Sequence, residues 1–153
     1  MSDPRAAVAA SLAVVRDAMR DHPEMVGGTR DRLDTSLMKA VPVGLVSKGG
    51  QEGLRAVAIL PEARATASAS GGRNGGSARR TTGLVVKIED GAGHDRASWA
   101  ASVEALAQAD VLDAQALRVL GRYHRPTFLD PHGNAVAEAV ADFELAPVGE
   151  LTR

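Results

Sequence analysis

Apolar residues Val8, Leu12, Val15 and Met19 recur at alternating four- and three-residue spacing, the period of a helix with one apolar stripe. Ser2-Asp3-Pro4 supplies a capping side chain followed by a first-turn proline, so the helix is predicted to start there. It should end near Asp21-His22-Pro23, because a residue that precedes proline avoids the helical region. Residues 23–28 read as loop. A second helix is predicted over Asp31 to Ala40, with Leu33, Leu37 and Met38 on its inner face. The period then shortens. Gly44 to Lys48 and Leu54 to Leu60 read as strands, the second stopped by Pro61, and Thr82 to Glu89 alternates Leu84, Val86 and Ile88 against Val85 and Lys87. Asp95 to Ala109 reads as a helix with Trp99, Val103 and Leu106 at core spacing. A further helix is expected over Asp113 to Gly121 and a last strand over Ala135 to Leu145. The low-complexity run from Ala65 to Arg80 is expected to be a flexible hairpin tip rather than a domain linker. Short connections between strands imply antiparallel pairing. The predicted class is α+β, an antiparallel sheet of three to four strands with helices packed on it.

Composition narrows the picture. At 153 residues the chain reads as one domain, residues 1–153. Apolar residues make up 44% but aromatics only 3%, and an alanine- and valine-rich core buries little area per residue. A net charge of -1 gives no general attraction to nucleic acid or to anionic membranes. The absence of cysteine excludes disulfides, a thiol nucleophile and thiolate metal sites. The N-terminus lacks an apolar signal core and no run is long enough to span a membrane, so a cytoplasmic protein of bacterial type is expected.

The candidate chemistry begins at Lys48. A short apolar strand delivers this lysine into the glycine-rich turn Gly49-Gly50-Gln51-Glu52-Gly53, where the backbone can turn sharply and a ligand can approach closely. A lysine held there can orient a carboxylate or activate a hydroxyl; the alternative is a solvated surface lysine. Ser47 points to the opposite face of the strand and is a poor partner for it. Ser36-Leu37-Met38-Lys39 matches S-x-x-K, in which a lysine one turn away takes the serine proton. With nine serines and three lysines, about one such chain in five carries the match by chance. His22, His94, His124 and His132 share no metal-ligand spacing. His94 with Asp90 and Asp95 is the one loop where a divalent metal could gather carboxylates, and no metal site is assigned. Asp31 and Asp34 flank Arg32 at a helix start, an ordinary dipole arrangement. Glu89-Asp90 reads as the end of a strand and Trp99 as a core anchor.

Four segments taken together resemble one family. His22-Pro-Glu-Met-Val-Gly-Gly-Thr-Arg30, Arg32-Leu-Asp-Thr-Ser-Leu-Met38, Ser47-Lys-Gly-Gly-Gln-Glu-Gly53 and Leu84-Val-Val-Lys-Ile-Glu-Asp-Gly91 are similar, in this order, to the C-terminal half of the class 3 L-asparaginases, the bacterial asparaginase II family. Four ordered motifs are far more specific than any one. The resemblance implies a fold like the C-terminal part of serine β-lactamases, and hydrolysis of L-asparagine to L-aspartate and ammonia. It implies that Lys48 is a catalytic lysine, that Gly49 and Gly50 admit the substrate, and that Thr29, Arg30, Asp34 and Thr35 line or support the pocket, with Arg30 holding a substrate carboxylate. In the family an N-terminal half supplies an S-x-x-K nucleophile and a second serine. The family is roughly twice the length of this chain, so the nucleophile half is expected to be absent and the chain to be inactive alone.

Some members hold a zinc through cysteines, one of them in the segment where this chain has Asp34; no zinc and no other cofactor is expected here. The expected partners are a small amino acid and either a separately encoded N-terminal half or a second copy. Two further readings remain open: a non-catalytic amino-acid-binding or subunit-interaction module that retains the half-fold, and a self-contained dyad of Ser36 and Lys39.

Overall fold

The computed structural model describes residues 3–63, 80–89 and 97–146. Helix α1 spans Pro4–Asp21, and the Asp3 carboxylate caps it by accepting from the Arg5 N–H at 2.9 Å. The predicted stripe is present, but no α1 residue is buried: Val8, Leu12 and Val15 are each more than half exposed. The chain breaks at His22, as the following proline requires. Pro23 then opens a new short helix, α2, over Pro23–Gly27, which corrects the loop expected there. The reason is that proline disfavours only the residue before it and is itself well suited to a first helical turn. Helix α3, Leu33–Ala40, buries Leu33, Asp34, Thr35, Leu37 and Met38.

Strands β1 (Leu45–Gly49), β2 (Leu54–Ile59) and β3 (Thr82–Lys87) form one antiparallel sheet in the order β1-β2-β3. Leu45 pairs with Ile59 and Gly49 with Arg55; Leu54 pairs with Lys87 and Ile59 with Thr82. The β1–β2 hairpin closes through the Gly50 N–H, which donates to the Leu54 carbonyl at 2.8 Å. Residues 64–79, and so nearly all of the expected hairpin tip, lie outside the described residues.

Helix α4, Trp99–Gln108, packs beneath the sheet with α5 (Ala114–Val119) and α6 (Gly121–His124). Residues 95 and 96 of the predicted helix lie outside the described residues. The predicted helix 113–121 is two pieces, because its ladder stops at Leu120 and a new turn begins at Gly121. Asp113 caps α5 by accepting from the Ala116 N–H at 2.7 Å. One core joins these elements: Leu33 and Leu37 of α3, Leu45, Val57 and Ile59 of the sheet, and Val103, Leu106, Leu120 and Tyr123 from the helices. Trp99 packs against it, edge-on to Tyr123 at 4.9 Å between ring centroids.

The last predicted strand is shorter than expected. Strand β5, Ala135–Glu138, pairs with β4, Thr127–Leu129, which periodicity did not reveal. β4 has only three residues, so the ladder ends early. Beyond it the backbone is held by a side chain: Gln108 donates to the Phe143 carbonyl at 2.8 Å and accepts from the Leu145 N–H at 2.7 Å. The fold is α+β, with the three-stranded sheet separate from the β4–β5 pair. Among the described residues no helix is long and apolar enough to cross a membrane.

Candidate active site

Asp34 is the centre of the candidate site. It occupies the first turn of α3, where a carboxylate suits the helix dipole, and it is buried with 8% of its surface exposed. Leu37 and Met38, one turn on, belong to the same inner face. The neighbouring strand supplies its partners. Ser47, fully buried, donates its hydroxyl to Asp34 Oδ1 at 2.6 Å. The Gly49 N–H donates to Oδ2 at 2.9 Å. The guanidinium of Arg55, directly across the β1–β2 ladder from Gly49, pairs with Oδ1 through Nη1. A side chain at position 49 would place a Cβ 3.1 Å from Asp34 Oδ2 and 3.4 Å from Arg55 Nη2, so glycine there is what lets carboxylate and guanidinium meet. Arg55 is 2% exposed. Burial pulls its guanidinium below the ordinary value, and the facing Asp34 charge opposes that shift.

This cluster forms one wall of a pocket of about 120 Å³ lined by Val26, Gly27, Arg32, Leu33, Asp34, Lys48, Gly49, Arg55 and Trp99. The structure therefore brings Lys48, Gly49 and Asp34 together. Lys48 leaves the strand on the face opposite Ser47. It is exposed, and its ammonium is turned back onto the Gly49 carbonyl at 2.6 Å. Arg32, Lys48 and Arg55 contribute to this lining, whose one carboxylate, Asp34, is paired with Arg55. Arg55 carries no motif, yet a signal for it exists: alternation in Leu54-Arg55-Ala56-Val57-Ala58-Ile59 places it on the buried face with Val57 and Ile59.

The other predicted site residues sit elsewhere. Thr35 is buried on α3, and its hydroxyl lies 2.7 Å from the Gly28 carbonyl and 3.1 Å from that of Pro23, tying α2 and its exit to α3. Thr29 and Arg30 are exposed in the bend between α2 and α3 and do not line the pocket. Gly50 closes the hairpin beside Leu54. Ser36 and Lys39 line a second pocket of about 390 Å³ with Ala40, Asp113, Gln115, Ala116 and Val119, and the two pockets share no residue. There the Ser36 hydroxyl is 3.0 Å from the Tyr123 hydroxyl, which also accepts from Arg122 at 2.7 Å. His94, Asp90 and Asp95 lie outside the described residues.

A zinc ion does not fit at Asp34. Both carboxylate oxygens are committed to Ser47, Gly49 and Arg55, and a buried guanidinium occupies the position where a cation would need a ligand. Among the described residues no group of three or more histidine, aspartate and glutamate side chains is arranged to hold a metal.

No curated protein sequence matches the chain. The model of the L-asparaginase II family matches residues 1–141. That match covers the α2–α3 segment, the Lys48 strand and the Asp34 pocket, and on its extent the chain belongs to the L-asparaginase II family.

Proposed function

We propose that this chain provides the lysine-bearing wall of a site that hydrolyses L-asparagine to L-aspartate and ammonia. The observation that carries the reading is the pocket that places Lys48 and Gly49 beside a fixed carboxylate in a cation-rich lining. Lys48 is the catalytic lysine: its ammonium stabilises the oxyanion that develops when the side-chain amide is attacked, or takes the nucleophile's proton when unprotonated. Asp34 is a positioning residue, holding the Ser47–Gly49 backbone and through it the lysine. Gly49 admits the substrate to the strand edge.

None of the nine lining residues carries a hydroxyl or a thiol. The pocket thus binds and polarises, and the attacking hydroxyl comes from outside this lining, from the family's N-terminal half or from a second copy of the chain. A fold related to the serine β-lactamases fits this division of labour, with the three-stranded sheet contributing the lysine edge.

The test is ammonia release from L-asparagine by the purified, folded chain, alone and with a candidate N-terminal half. The chain alone is expected to show little or no turnover, the assembly clear turnover, and Lys48→Ala in the assembly none. Turnover that survives Lys48→Ala refutes the role of Lys48. Turnover by the chain alone that vanishes in Ser36→Ala moves the chemistry to the second pocket.

A further inference from the structure

The second pocket, between α3 and α5, shares no residue with the Lys48 site. Its volume of about 390 Å³ falls in the range of roughly 300–1,000 Å³ that small-molecule sites occupy. Two opposite charges line it, Lys39 from the last turn of α3 and Asp113 at the N-cap of α5, and both are exposed to solvent. Among the described residues Lys39 makes no ion pair or side-chain hydrogen bond. Asp113 uses Oδ1 to accept from the Ala116 N–H at 2.7 Å, and its Oδ2 has no partner among the described residues. Opposite charges that share a cavity without closing on each other are matched by a molecule that carries both signs; a simple anion or cation answers only one of them.

Ser36 adds a donor beside Lys39. Tyr123 is 1% exposed, and Arg122 already donates to its hydroxyl oxygen at 2.7 Å. The Tyr123 proton needs an acceptor, because a buried hydroxyl left unpaired is costly, and the Ser36 oxygen at 3.0 Å supplies it. Ser36 therefore keeps its own proton for a ligand. It lies three residues before Lys39, so the two share one side of the helix and both line the pocket. A hydroxyl proton and an ammonium on one side suit a group that only accepts, a carboxylate. Ala40, Ala116 and Val119 complete the lining with short apolar side chains.

We propose that this pocket binds a free α-amino acid with a small side chain, its carboxylate on Lys39 and Ser36 and its ammonium on Asp113. The site is separate from the one assigned to asparagine hydrolysis and does not rest on that reading. It binds and performs no chemistry.

The test is an NMR titration of the full chain that follows its backbone amides and the methyl groups of Ala40, Ala116 and Val119. Three probes are added separately: L-alanine, N-acetyl-L-alanine, whose ammonium is blocked, and L-alaninamide, whose carboxylate is blocked. The expected result is a saturable shift with L-alanine at residues 36–40 and 113–119. Each blocked probe should bind about tenfold or more weakly, the loss of one charge-assisted hydrogen bond. Lys39→Gln and Asp113→Asn should each weaken L-alanine binding by a similar factor; asparagine keeps a side-chain oxygen to cap α5. If either variant does not fold, the three-probe comparison on the wild type decides alone. The proposal is overturned by the absence of a saturable shift at these residues, or by either blocked probe binding as tightly as L-alanine. Shifts confined to Lys48 and Gly49 overturn it too, since they place the amino acid in the other pocket, as does unchanged binding in either folded variant. Ammonia release is no part of the readout, so failure of the hydrolysis reading leaves this result standing.

Discussion

Asp34→Ala tests the central cluster most severely. The Arg55 side chain is 2% exposed and that of Asp34 11%, so this is a buried ion pair. Removing the carboxylate leaves a buried guanidinium without its counter-charge and frees the Ser47 hydroxyl and the Gly49 N–H. Breaking a buried pair from one side costs about 3–5 kcal/mol, mostly because the surviving charge is stranded. Against a total stability of about 5–15 kcal/mol for a domain that is a large share. At about 2–4 °C per kcal/mol for a chain of this size, the expected fall in Tm is about 6–20 °C. The double variant Asp34→Ala/Arg55→Met separates the cause. It removes both charges, so its loss should be smaller than that of Asp34→Ala alone, about 1–3 kcal/mol for the unpaired Ser47 and Gly49 groups. Urea unfolding of wild type, both single variants and the double variant, followed by circular dichroism, completes the cycle. A loss below about 1 kcal/mol in Asp34→Ala, or a double variant that loses the sum of the singles, refutes the reasoning, since both describe groups that do not depend on one another.

Gly49→Ala should cost about 1–3 kcal/mol by overpacking, because its Cβ would meet Asp34 Oδ2 at 3.1 Å; unchanged unfolding in urea would count against the close approach. Lys48→Ala, at an exposed position, should leave stability within about 0.5 kcal/mol of wild type while removing hydrolysis from any active assembly, so a large loss of Tm would make Lys48 structural. Glu104 accepts from Gln108 at 2.7 Å and lies 2.6 Å from His124, and the Gln108 hydrogen bond followed by that of His124 holds its carboxyl below the usual value. A depressed carboxylate contributes stability that is present above its unfolded pKa and lost as pH falls through the folded one. Glu104→Gln should therefore be less stable than wild type at neutral pH, with the gap closing in the acid range below the usual carboxylate value; a gap of constant size in melting curves across that range would contradict the assignment.

The elements were largely legible because their causes are local. Period-two alternation located β3, short apolar runs bounded by the glycine-rich turn and Pro61 located β1 and β2, helical spacing located α1, α3 and α4, and proline and capping residues marked the α1 ends. Where local signals were weak or depended on a partner, expectation and structure diverged. The three residues of β4 are too few to show a period, and β5 ends where β4 can no longer pair with it. The stripe on α1 is a true helical signal, but periodicity reports a face and not what covers it; no α1 residue is buried.

For the site the division is similar. The glycine-rich turn announced Lys48, and alternation assigned Ser47 and Lys48 to opposite faces. The pattern also held unread information: Asp34 shares the inner face of α3 with Leu37 and Met38, and Arg55 shares the buried face of β2 with Val57 and Ile59. Two opposite charges on buried faces are each costly alone. What joins them is the β1–β2 register, which sets Arg55 across from Gly49, together with the packing of α3 against β1. That register brings together residues 21 positions apart, and the same long-range packing sets Ser36 beside Tyr123 across 87 positions. Periodicity is a property of neighbours along the chain, whereas the compensation of a buried charge belongs to neighbours in space, and only the folded chain determines which those are.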